Sequence, residues 1–328
     1  MSNSQLCSMP FAFSCAAAIF SLTAGAAENI SDYPSHPLRI VVGFSPVGGA
    51  DVATRMYSAK LSEIIKQSVI VDNRPGAGGS VGAAYVANSI PDGYTLLAVS
   101  SSYATIPSLY KPQGFDPAKD LTAVIMIAEA PMLLLVHQSL PARSVKELIA
   151  LAKAKPGQLN FSSGGEGTSS FLTGALFNSM AGVNIVHVPY KGAGPALIDT
   201  IAGQVDINFA SVISSLPHVK SGALRSLGVS SAKRSVVLPD LPTIAEAGVK
   251  GYSRTTWYGV LAPSHTPAAI IAKLNGDLEK TLATQDVRQR LLAEGSEPAG
   301  GPPQKFQEFL MNEFEVTRNI MRKAGVVK

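Results

Sequence analysis

Cysteine is almost missing from this chain. Only Cys7 and Cys15 occur among 328 residues, and both lie in the first 27. If that leader is removed, no disulfide framework and no cysteine-ligated metal is possible. Charge is also sparse: 15% of residues are charged, against 46% hydrophobic, which excludes a disordered, self-repelling chain. The 27 basic and 23 acidic residues leave a net charge of +4 with no dense Lys/Arg run, so no nucleic-acid partner is expected. Beyond the leader no stretch is apolar enough to span a bilayer, so the mature chain is expected to be soluble.

Several chemical signatures are lacking too. The five histidines (His36, His137, His187, His218 and His265) never pair at metal-ligand spacing. No G-x-S-x-G elbow and no phosphate-binding G-x-x-x-x-G-K-[ST] occurs. Residues 38–44 followed by Gly48-Gly49 imitate a dinucleotide-binding unit, but Ser45-Pro46 stands where its tight-turn glycine belongs. Ser169 or Ser170 with His187 as base has no supporting motif, and a hydroxyl capping a helix is the simpler role. No catalytic residue, cofactor or metal is therefore expected, and the chain reads as a non-enzyme.

The leader itself is informative. Residues 1–27 contain no Asp, Glu, Lys or Arg, residues 11–20 are apolar and small, and Ala24-Gly25-Ala26 fits a cleavage site. This predicts export with cleavage near Ala26 or Ala27, hence a periplasmic protein.

From residue 34 onward the pattern alternates strand and helix. Residues 38–44 (LRIVVGF) form a short apolar run suited to a strand covered on both faces, and residues 51–66 follow with helical spacing. Strand-like runs recur at 69–71, 95–100, 123–130, 132–137, 159–162, 184–188, 205–209 and 224–229, with helices between many of them. Ser144 and Glu147 have capping-box spacing. The expected fold is α/β, two-lobed like a type II periplasmic binding protein, each lobe a mainly parallel sheet flanked by helices around a central cleft. The expected division is a signal peptide at 1–27, one lobe from 34–128 plus 253–328, and a second from 129–252.

One device repeats. Four times a Gly-rich or small-residue loop leads from a strand towards a helix: residues 45–51 (SPVGGAD), 74–82 (RPGAGGSVG), 162–170 (SSGGEGTSS) and 190–195 (YKGAGP). Helix N-termini expose unpaired N–H groups and partial positive charge. Several such ends facing one cleft form an anion site without an arginine clamp. In open α/β sheets that cleft lies at the carboxyl ends of the strands.

At these segments the sequence resembles the Bug, or tripartite tricarboxylate transporter, solute-binding proteins. YPSHPLRIVVGFSPVGGADVATR, VDNRPGAGGSVGAAYVANSIPDGYTLL, LNFSSGGEGTSSFLTG, VPYKGAGPALIDTIAGQVDI, LPDLPTIAEAG and WYGVLAPSHTPAAIIAKLN follow in family order. The resemblance implies a monomeric periplasmic receptor that captures a small carboxylate and passes it to a two-component membrane permease. A sensing subunit for a membrane signalling protein, or a hydrolase, are the alternatives. The implied ligand contacts are Phe44, Ser45, Pro46, Val47, Gly48, Gly49 and Asp51, then Ser100, Ser101 and Ser102, then Thr168, Ser169 and Ser170, with Ala210 and Ser211; Tyr190, opening the fourth glycine loop, is expected to join them. Family members often carry a His and an Asn around SSYATIPSLY, where this chain has Tyr103 and Ile106. That departure points to a less polar pocket and an aromatic carboxylate such as terephthalate.

Overall fold

The computed structural model describes residues 32–328, apart from Ser45, Val47, Gly48, 111–113, Glu294 and Lys328. The expected signal peptide lies outside the described residues. Among the described residues of the unit Pro34–Lys328, ten strands and ten α-helices follow in the order β1 (Leu38–Val42), α1 (Gly49–Ile65), β2 (Val69–Asn73), α2 (Ser80–Ala87), β3 (Thr95–Ser100), α3 (Ile106–Leu109), β4 (Leu121–His137), α4 (Val145–Ala154), β5 (Asn160–Ser163), α5 (Ser169–Ala181), β6 (Val186–Pro189), α6 (Ala193–Ile201), β7 (Ile207–Ser211), α7 (Val212–Lys220), β8 (Leu224–Val229), β9 (Thr255–Pro263), α8 (Ala268–Ala283), α9 (Gln285–Ala293), β10 (Glu297–Pro298) and α10 (Pro303–Lys323).

The strands form one curled mixed sheet in the order β2-β1-β3-β9-β4-β7-β5-β6, with β8 and β10 also paired to β4. Strand β1 runs parallel to β2 and β3, and β5 runs parallel to β6 and β7. The near-continuous apolar run of β1 suits its central place, since parallel strands are covered on both faces. Between these two parallel blocks lie β9 and β4, both antiparallel to their neighbours.

Sequence reading expects two strands at 123–130 and 132–137. The structure joins them into β4, a single strand of 17 residues. Pro131 marks the change of partner: up to that residue β4 pairs with β9, and from Met132 it pairs with β7 and β8. Proline has no N–H to give to a ladder, which suits a point where one pairing ends and another begins. Helix α7 was not expected from the sequence; it carries Pro217 in its interior, and proline argues against a helix in any pattern reading.

Two of the cores among the described residues flank this crossover. One gathers Val41, Leu97, Val99, Trp257 and Leu261 beneath Phe306, Leu310 and Phe314 of α10. The other gathers Leu134, Phe161, Phe171, Phe177, Phe209 and Tyr252, and it also takes Ile320 and Met321 from the last turns of α10. No described helix is long and apolar enough to cross a membrane.

Candidate functional site

The parallel pairings put the carboxyl ends of β1, β2 and β3 along one stretch of sheet edge, and those of β5, β6 and β7 along another. The glycine-rich loops leave from these ends, which are the places where α/β sheets bind ligands.

After β1 the chain passes Phe44 and the exposed Pro46 and enters α1 at Gly49; Ser45, Val47 and Gly48 lie outside the described residues. Asp51, in the first turn of α1, is buried. Its carboxylate accepts from Arg55 Nε at 3.0 Å and from Asn73 Nδ2 at 2.9 Å. Asn73 Nδ2 also donates to the Phe44 carbonyl at 3.0 Å. Asp51 thus belongs to a buried clamp that fixes where this loop leaves the sheet. Asn73, at the end of β2, is the part of that clamp that sequence reading missed; an Asn before a glycine-rich loop gives no signal beyond a turn.

After β3 comes a tight 3-10 turn, Ser101–Thr105. Ser100 Oγ and Ser102 Oγ lie 2.8 Å apart. Thr105 Oγ1 donates to the Ser102 carbonyl at 2.6 Å, which locks the turn. Tyr103 and Ile106 are buried in the first core, and the Tyr103 hydroxyl donates to the Pro117 carbonyl at 2.8 Å. These two residues serve packing, so they are poor evidence for a less polar pocket.

In the other parallel block, β5 ends at Ser163 and a glycine turn leads into α5. Thr168 is the N-cap: its Oγ1 accepts from Phe171 N and donates to the Gly165 carbonyl at 2.6 Å. Ser170 Oγ accepts from Gly164 N at 3.1 Å and lies 3.1 Å from Thr168 Oγ1. Ser169, the first residue of α5, is left facing the opposite block. Its Oγ lies 2.7 Å from Ser101 Oγ. Gly167 sits equally close: a Cβ there would stand 2.6 Å from Leu109 Cδ1. The two turns, from opposite blocks, meet face to face.

The remaining expected residues lie on the β6 and β7 ends. Tyr190 follows β6 and donates its hydroxyl to Asp199 Oδ2 at 2.7 Å, so its polar end is held by α6. Ala210 is buried, and Ser211 caps α7 by accepting from Ser214 N. They share the sheet edge with Ser163, since β7 and β5 are parallel.

His187 pairs with Ser163, its Nε2 lying 2.6 Å from Ser163 Oγ; Ser169 and Ser170 have other partners. Burial pushes the imidazole below its ordinary pKa, with the Glu166 carboxylate pulling the other way. The unfolded chain therefore takes up a proton near pH 6.5 that the folded chain resists. This contribution to stability is complete above that pH and is lost as pH falls below it. Urea unfolding at about pH 7.5 and 5.5 is expected to show the loss, and His187→Gln to flatten it.

Among the described residues no three His, Cys, Asp or Glu gather as a metal-binding group. Hydroxyls and a helix start are what the two turns bring together, groups suited to recognising a ligand by hydrogen bonds and dipoles.

The comparisons agree. Residues 53–326 match the family model described as tripartite tricarboxylate transporter family receptor, and the chain belongs to that family. It is 39% identical to Rpa4515 of R. palustris, solved with adipate, with a TM-score of 0.78 over 90% of this chain and 99% of that one. It is 32% identical to the periplasmic binding protein BugD, with a TM-score of 0.75 over 90% and 100% of the two chains. MatC from Rhodopseudomonas palustris, solved with bound malate, is 29% identical with a TM-score of 0.74 over 88% and 99%.

Proposed function

We propose that this protein is a periplasmic receptor that captures a small carboxylate between the Ser100–Ser102 and Thr168–Ser170 turns and delivers it to a membrane permease, without chemical change. The observation that carries this reading is the apposition of Ser101 and Ser169 from opposite blocks, with the start of α5 directly behind Ser169. A carboxylate entering there accepts bonds from hydroxyls and meets the positive end of a 13-residue helix. Each such end supplies about 0.3–1 kcal/mol. Micromolar capture needs about 8 kcal/mol, so apolar burial and closing of one block on the other must supply most of it.

An aliphatic dicarboxylate is the better supported cargo. Adipate and malate accompany two relatives, whereas the aromatic reading rested on Tyr103 and Ile106, which are core residues. Thermal unfolding of the mature protein across adipate, succinate, malate, citrate, glutamate, benzoate and terephthalate decides the class. A ligand at 100 times its dissociation constant stabilises by about 2.7 kcal/mol. A selective shift with terephthalate would reinstate the aromatic reading, and no shift with any acid would remove the carboxylate.

Ser169→Asp tests the location. A carboxylate at the first position of α5 favours the helix but repels an anionic ligand. The variant is expected to keep or raise its melting temperature while affinity falls by about tenfold or more. Unchanged affinity in isothermal titration would exclude this turn from the site.

A further inference from the structure

A separate cavity of about 480 Å³ lies where the chain crosses between the two blocks. Its walls come from both. Ser231, Lys233 and Arg254 border the connection that leaves β8 and re-enters at β9, while Glu297 and Phe309 belong to β10 and α10. None of the residues discussed for carboxylate capture lines it.

Its charges are arranged unusually. Arg254 is buried, and its Nη1 donates to both oxygens of the buried Glu313 at 2.9–3.0 Å, while Nη2 reaches Thr317 Oγ1 at 3.5 Å. The Arg254 Nε–H has no partner among the described residues. Glu129 and Glu297 stand directly opposite each other on antiparallel β4 and β10. Directly opposed residues share a sheet face, and like charges so placed repel. Among the described residues Glu129 accepts only from Thr255 Oγ1, at 3.2 Å. Among the described residues neither glutamate has an ion-pair partner, and neither does Lys233, on the same cavity wall. With Arg254 and Glu313 neutralising each other, two carboxylates and one ammonium remain without an ion-pair partner among the described residues, around a solvent-open cleft backed by Pro131, Pro298 and Phe309.

We propose that this cavity is a second binding site, for a small zwitterion of the α-amino-acid class. The ligand ammonium relieves the Glu129–Glu297 repulsion, and the ligand carboxylate takes Lys233 and the free Arg254 Nε–H. The volume suits such a molecule. Because the walls belong to both blocks, an occupant biases their relative position and so couples to whatever the other site binds. The assignment itself does not depend on the carboxylate reading, since it uses different residues.

The test is isothermal titration and thermal unfolding of the mature full-length protein with glycine, alanine, valine, proline and glutamine, each also as its N-acetyl and carboxamide derivative. At least one free amino acid is expected to bind and both of its blocked forms to fail. Glu129→Gln combined with Glu297→Gln, and separately Lys233→Met, are each expected to lower that affinity by about tenfold. Both glutamates and the lysine are outside the buried core, so the variants should fold, which their melting curves verify. Ser169→Asp is expected to leave the amino-acid affinity unchanged. The proposal is overturned if no free amino acid binds, if a blocked form binds equally well, or if only magnesium or calcium shifts the melting temperature. Loss of binding in Ser169→Asp with retention in the glutamate and lysine variants would move the amino acid to the other site and overturn it as well.

Discussion

Glu313→Ala is expected to lower stability by about 3–5 kcal/mol, the largest loss foreseen for any single side chain here. The carboxylate does three jobs at once. It accepts two bonds from Arg254 Nη1 and one from Trp257 Nε1 at 3.0 Å. Removing it strands a guanidinium that is 4% exposed and an indole N–H that is fully buried. Taking a charge out of water costs several kcal/mol, and an ion pair recovers that cost only while both partners are present. A control separates the charge from the packing: Glu313→Gln combined with Arg254→Met removes both charges, and it should be markedly less harmful than Glu313→Ala alone. Urea unfolding measures both. Equal losses in the two variants would show that the pair contributes only packing.

Gly43→Ala is expected to cost about 1–3 kcal/mol, with soluble yield as a second readout. Gly43 lies just past β1, and a Cβ built on it stands 2.7 Å from Gly79 Cα and 2.9 Å from Gly79 O. Those are backbone atoms, so no rotamer change relieves the clash; the 77–79 turn must move away from the sheet. The same contact sets the exit direction of the first glycine loop, so ligand affinity should fall along with stability. Gly276→Ala is the matched control. It lies within α8 with nothing within 4 Å of its added Cβ, and alanine in a helix interior is favoured over glycine by about 0.5–1 kcal/mol. If both substitutions behave alike, the Gly43–Gly79 approach does not constrain the fold.

The repeating strand–helix order was readable because parallel strands must be apolar on both faces and their helices amphipathic. The Ser144 cap was readable for a local reason: it accepts from Glu147 N at 3.2 Å, and Glu147 returns to accept from Arg143 N. At α5 the sequence points to Ser169 or Ser170 as the capping hydroxyl, whereas the structure gives that role to Thr168, one residue earlier. What escaped was what depends on distant residues. Nothing near Asn73 announces that it will bridge Asp51 and Phe44, and nothing near Ser163 announces His187, 24 positions away. The pairing of Arg254 with Glu313 spans 59 positions. The burial of Tyr103 and Ile106, on which the aromatic-cargo reading leaned, escaped for a related reason. Tyr103 and Ile106 were placed by their position in a motif, but their burial is decided by α10, more than 200 residues later in the chain.

Helix α10 also dictates when the protein can finish folding. Its Phe306, Leu310 and Phe314 complete one core, while Ile320 and Met321, in its last turns, complete another. Neither of these hydrophobic interiors is sealed until α10 has been synthesised. A chain emerging from the ribosome therefore carries two unfinished, sticky interiors until that helix arrives. Truncation before Ile320 would leave the core around Phe161 and Phe209 open to water, although no residue of the Ser100–Ser102 or Thr168–Ser170 turns had been touched.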